Sequence, residues 1–255
     1  MDENIKNIHV CVDKRVPLDL ADKAEAIAIK ENPSNALGND PNANTKMAVV
    51  RRSMWKNGRT LRVHFLDGVT EVQEKVQKYA NVWSKYANIR FDFVNNLKAE
   101  IRISFEADPG SWSAVGTDAL VAEWFPPGTP TMNFGWLTQD TDDDEYSRVV
   151  THEFGHALGC IHEHQGPAAN IKWNKPVVYR YYKESQGWSE DDVDSNLFDR
   201  YSEEVTQFTK FDPKSIMIYE IPKEFTLNNK SYETNTKLSG TDIDFIGRQY
   251  PNRKK

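Results

Sequence analysis

Apolar positions change their period several times along the chain. From Arg59 to Asp67, RTLRVHFLD alternates with Leu61, Val63 and Phe65 on one side, which predicts a half-buried strand. VTEVQEKVQKYANVWSKYA then spaces Val69, Val72, Val76, Tyr79, Val82, Trp83 and Tyr86 as one helical stripe. IRFDFV and AEIRISF return to alternation, and TMNFG offers a further short strand after the Gly/Trp/Pro-rich stretch DPGSWSAVGTDALVAEWFPPGTP. Strand, helix, strand, strand predicts a mixed sheet covered on one face by a helix.

DTDDDEYSRVVTHEFGHALG predicts a second long helix, with Thr141 as its cap. Asp142, Asp143, Asp144 and Glu145 fall in the first turn, where exposed amides favour negative charge. They read as a helix start, because no loop of alternating oxygen ligands around a glycine accompanies them. Near the N-terminus, ADKAEAIAIKENPSNA reads as a helix and NALGNDPNANT as a surface connection. Beyond Gln165, VVYRYYKESQ and SEDDVDSNLFDRYS predict shorter helices, and GTDIDFIGRQYP a closing helix stopped by Pro251. The fold class is therefore α+β: a twisted mixed sheet, two long helices and an irregular C-terminal lobe.

The 255 residues suffice for one sizeable core or one domain in two lobes. A net charge of -6, with no basic run beyond Arg253-Lys254-Lys255, argues against a nucleic-acid partner. No segment has the length and apolarity of a membrane span, and MDENIKNIHVCVDKRVP lacks the apolar run of a secretory signal. The expectation is a soluble protein, either cytoplasmic or exported by a non-classical route. Two cysteines, Cys11 and Cys160, build no disulfide framework. Nothing in the chain predicts an oligomer.

Four of the six histidines crowd into VVTHEFGHALGCIHEHQ, Val149 to Gln165. His152 and His156 are four apart on the predicted helix, so their imidazoles share a face and can approach one zinc ion together. Glu153 flanks that face, placed to take a proton from metal-bound water. Val150, Phe154 and Leu158 lie opposite and would pack against the sheet. Gly159 can break the helix direction in the left-handed conformation, letting His162 return as third ligand. Three histidines and a water give a four-coordinate site with one open position.

HEFGHALGCIH resembles the extended zinc signature of the metzincin clan of metallopeptidases, with His152, Glu153, His156, Gly159 and His162 at every defining position. Glu163 after His162 is similar to the astacin-like branch. SIMIY, Ser215 to Tyr219, resembles the clan's methionine turn, although Ile218 stands where the pattern usually has histidine. The resemblance covers about Arg59 to Tyr250. It implies a zincin catalytic domain over 55–255, with an upper lobe 55–159 and a lower lobe 160–255, preceded by an N-terminal extension over 1–54. It further implies one catalytic Zn²⁺, Met217 as the base beneath the histidines, and protein or peptide substrates bound in extended form. The substrate would pair antiparallel with an edge strand, here expected in IRISF.

That resemblance implies a zinc-dependent endopeptidase with Glu153 as general base. Tyr219 would be an additional ligand at rest, or a hydrogen-bond donor to the developing oxyanion. The alternative is a catalytically silent, zinc-containing peptide-binding module. Cys11 has two readings: an ordinary buried cysteine, or a thiolate that fills the open zinc position and keeps the enzyme latent. Glu163 would pair with a processed amino terminus or with a local cation. His9, His64 and His164 are expected outside the ligand set, and Cys160 in packing. Of Trp112, Trp124, Phe125, Phe134 and Trp136, most are expected in lobe packing and some along the cleft.

Overall fold

The computed structural model describes residues 8–36, 49–50, 53–108, 110–200, 206–207 and 210–252. Most of the expected connection NALGNDPNANT and the basic tail lie outside these residues.

The alternating segments form β3 (Thr60–Phe65), β4 (Arg90–Phe93) and β5 (Ile101–Ser104). In β3, Leu61 and Val63 are fully buried, as their period requires, while Phe65 is half-buried and stacks on Phe93. Three strands escaped the pattern or were marginal in it: β1 (Cys11–Lys14), β6 (Ser111–Ala114) and the two-residue β7 (Met132–Asn133). The six make one sheet in the order β1-β6-β7-β5-β3-β4. All neighbours run parallel except β6 and β7. A separate antiparallel pair joins β2 (Val49–Val50) to β8 (Thr206–Gln207).

This order corrects the expected edge strand. IRIS of β5 lies between β3 and β7, and all four of its residues are buried, including Arg102. β6 pairs antiparallel with β7 on one side and parallel with β1 on the other, with Cys11 opposite Ser111 and Asp13 opposite Ser113. Alternation within AEIRISF could not separate centre from edge, because Arg102 looks solvent-facing yet is buried. Its guanidinium donates to the carbonyls of Ala99, Phe125 and Thr129 and so fixes the Pro126–Thr129 loop.

α2 (Thr70–Ala80) stops earlier than its apolar stripe suggests. Asn81 caps it, donating Nδ2 to Gln77 O at 2.8 Å. The chain then turns so that Trp83, fully buried, donates its indole N–H to Thr151 O at 2.8 Å. α3 (Asp143–Ala157) is the longest helix, and its cap is Asp142 rather than Thr141. Asp142 accepts from Glu145 N at 2.8 Å, whereas the Thr141 hydroxyl binds back to the preceding loop through Thr138 N. Val72 and Val76 of α2 join Val149, Val150 and Phe154 of α3 in the main core with Leu61, Val63, Ile101 and Ile103. Phe91 of β4 meets Phe154 edge-on at 4.9 Å between centroids.

α1 (Ala21–Glu31) packs against the Gly116–Leu120 turn, and Asn35 behind it donates to Ala28 O and Met54 O. α4 (Lys175–Gln186) and the short α5 (Glu190–Val193) follow the histidine segment, and α6 (Gly240–Gln249) closes the chain. No helix among the described residues is long and apolar enough to cross a membrane.

Candidate metal centre

α3 carries His152 and His156 on one face, and both are buried. Its C-terminus is held by aromatic donors: Trp55 Nε1 to Ala157 O at 2.7 Å and the Tyr250 hydroxyl to Leu158 O at 2.9 Å. Gly159 then takes φ +94°, a conformation that favours glycine, while Cys160 N closes onto Gly155 O at 2.9 Å. The reversal brings His162 back toward the helix. His156 Nε2 lies 3.2 Å from His152 Nε2 and 3.0 Å from His162 Nε2.

The outward nitrogens fix the tautomers. His152 Nδ1 donates to Ile216 O and His156 Nδ1 to Cys160 O, both at 2.8 Å, so both Nε2 atoms present lone pairs. Burial holds all three imidazoles below their usual pKa and hence neutral. Converging lone pairs repel unless a cation lies between them. Nitrogens bound at zinc distances in a tetrahedron stand about 3.3 Å apart, close to the spacings found here. The donor set therefore fits a zinc ion held by His152, His156 and His162.

Glu153 is fully buried, and neither of its oxygens has a hydrogen-bond partner among the described residues. Burial pushes its pKa up to about 8. Beside it, Cys11 of β1 is also buried, and its sulfur, a His152 nitrogen and a Glu153 oxygen all lie within 4.8 Å of one another. Burial first, and then the Glu153 charge, hold the Cys11 thiol well above its usual pKa. Tyr219 is buried, its ring centroid 4.2 Å from that of His162, and its hydroxyl donates to Cys11 O.

Met217 is fully buried, and a side chain at Gly155 would place its Cβ 2.5 Å from the Met217 sulfur. The turn carrying Met217 is pinned by Asp242 of α6, which accepts from Ser215 Oγ at 2.7 Å and Ile216 N at 2.9 Å. Sequence reading passed over Gly155, Asp242 and Trp55. The SGTD segment, Ser239 to Asp242, carried a signal, since serine three residues before a carboxylate forms a capping box. Ile218, in the position where histidine was expected, is buried among core residues.

The remaining candidates separate cleanly. Glu163 is buried with its pKa raised to about 8 by burial, and it accepts from Asp212 N at 2.7 Å, so its partner here is backbone rather than a cation. His164 stacks on His162 with centroids 5.2 Å apart, outside the converging set, and donates Nε2 to Asn196 O at 3.2 Å. His64 pairs through Nδ1 with Val94 O. His9 is 55% exposed and leans on Trp136 with centroids 4.5 Å apart. Cys160 is buried in the core. Trp112 and Phe125 form a small second core against which Val12 packs, and Phe134 lies in the main core. Trp112 and Trp136 also wall a cavity of about 490 Å³ along β1, while Trp124 is 41% exposed.

A six-stranded mixed sheet over a long helix, with three imidazoles converging beside a buried glutamate, places the chain among the metzincin-clan zinc metallopeptidases. The matrixin profile, peptidase family M10, matches residues 66–198, and the chain belongs to that family. Human matrix metalloproteinase-20 is 35% identical over 100 residues, covering 36% of this chain and 21% of the relative. Human matrix metalloproteinase-26 is 28% identical over 131 residues, 48% of each chain. The chain thus spans about half or less of the curated relatives it matches. A solved structure of myroilysin is 47% identical, with a TM-score of 0.78, covering 81% of this chain and 100% of that one.

Proposed function

We propose that this chain is a zinc-dependent endopeptidase whose cleft is filled by its own N-terminal segment. The observation that carries this reading is the convergence of three neutral Nε2 atoms beside a buried glutamate without a partner. His152, His156 and His162 would hold the ion, with Met217 as the packed floor beneath them. A bound zinc supplies a water of lowered pKa and polarises the scissile carbonyl. Glu153 is the residue that would accept a proton from such a water and pass it to the departing amine. Tyr219, once released from Cys11 O, would be free to donate to the developing oxyanion.

The substrate is an extended polypeptide pairing antiparallel with β6, the direction opposite to β1. A segment bound in the reverse direction does not present its peptide bonds in the productive order. Cys11 is the latency ligand in this reading, its sulfur reaching the ion from the cleft side. The extension 1–54 is then an inhibitory segment and 55–255 the catalytic unit. Export rather than cytoplasmic retention fits relatives named as matrix metalloproteinases and an interstitial collagenase.

A second reading draws on the same filled cleft. If β1 never leaves, the protein is a silent zinc-containing module that binds its own strand. Cleavage of an unfolded protein after limited proteolysis of the full chain separates the two. Activity that disappears with chelation, returns with zinc, and is absent in Glu153→Gln at full zinc content supports the enzyme. A Glu153→Gln variant with wild-type turnover refutes the assigned base.

A further inference from the structure

The three imidazoles are not oriented in the same way. His152 and His156 are each fixed by a main-chain carbonyl at 2.8 Å, supplied by Ile216 and Cys160. His162 Nδ1 faces a side-chain acceptor instead, Gln165 Oε1, at the longer distance of 3.4 Å. That oxygen also accepts from Arg15 Nη2 at 2.9 Å. Arg15 belongs to the N-terminal segment and is itself held by Asp13, Nε to Oδ2 at 3.0 Å. Asp13 Oδ1 stands 3.9 Å from His162 Nδ1. Gln165 is fully buried, and its Nε2 donates to Ser195 O at 2.8 Å, so its amide cannot simply turn away from the pair of donors it serves.

We propose that Gln165 is the positioning residue of His162, and that the N-terminal segment competes for it through Arg15. A charge-assisted bond from a guanidinium is the stronger of the two, and it takes the shorter geometry. The His162 contact is left long, so the third ligand is oriented less firmly than the other two while the segment is docked. When Arg15 departs, Gln165 Oε1 can close on His162 Nδ1–H, completing the outer support that ligating histidines ordinarily receive. The segment would then act on the metal centre twice: by covering it, and by drawing support from one ligand. This inference rests on the three-histidine zinc reading.

The test is an equilibrium zinc titration against a competing chelator on the full chain, in a Cys11→Ala background so that the thiol contributes nothing. Absorption of the cobalt-substituted protein provides a second readout. Gln165→Met should lower zinc affinity about tenfold to a hundredfold, the usual effect of losing an outer partner. Arg15→Met should raise affinity by up to about tenfold, the lower end of that range, and shift the cobalt bands. The same Arg15→Met change made together with Gln165→Met should do neither, because coupled residues are non-additive. If Gln165→Met does not fold, Arg15→Met decides: a rise supports the inference, and no change overturns it. A background chain that binds zinc equally well in both single variants overturns this inference alone. One that binds no zinc overturns the three-histidine reading with it.

Discussion

The Met217 sulfur occupies the space that a side chain at Gly155 would need, 2.5 Å from an ideal Cβ. Alanine in a helix interior is ordinarily better than glycine by about 1 kcal/mol. Here the added methyl must displace the Met217 side chain or α3, with Trp83 also 3.1 Å from the same Cβ. Gly155→Ala should therefore destabilise by about 1–3 kcal/mol in urea unfolding, the scale of overpacking in a dense core. A neutral or stabilising result would mean that the floor is loose.

The helix end before the metal reversal depends on two aromatic donors. Tyr250→Phe removes the hydroxyl that donates to Leu158 O and accepts from Trp55 N, leaving two buried backbone groups without that partner. The expected loss is about 1–3 kcal/mol by chemical denaturation. Zinc affinity should fall with it, because the carbonyl lies next to Gly159. Unchanged stability would show that other groups take over both bonds.

Cys11 predicts latency. Cys11→Ala in the intact chain should give measurable hydrolysis of a quenched peptide where the parent gives little, at equal zinc content. Unaltered, negligible activity would make strand β1, rather than the thiol, the sufficient block.

Asp118 gives a pH dependence away from the metal ligands. Burial raises its pKa to about 6, opposed by hydrogen bonds from Ser53 Oγ and Val16 N and by Arg15, and reinforced by the nearby charge of Asp13. A carboxyl whose folded pKa exceeds its unfolded value binds more protons when folded, so its contribution is complete below about pH 4. That contribution is lost as pH rises through about 6. Asp118→Asn cannot ionise, so from pH 4 to pH 7 its stability should gain on the parent by up to about 3 kcal/mol. Parallel stability curves for the two proteins would rule this out.

Much of the centre was legible because it is local. His152, Glu153 and His156 share one helical stretch, and Gly159 and His162 follow within one reversal, so helical spacing and the freedom of glycine fix their relative placement. The strands β3 and β4 were legible through period-two burial, and β5 through the alternation of its residue types, although all four of its residues are buried. β6 was not, since SWSA is only four residues long and lies within a Gly/Trp/Pro-rich stretch that reads as a loop.

What the sequence by itself determined is the set of groups that can meet at one point through short-range geometry, together with the strands and helices whose faces alternate. Tertiary structure alone decided that β1 pairs with β6, that Cys11 and Tyr219 meet across 208 positions, and that Arg15 reaches Gln165 across 150. The physical reason is that side-chain period reports which face is buried but carries no information about which distant segment buries it. That choice is made by sheet order and by the pairing of buried polar groups, and both close only when the whole chain has folded.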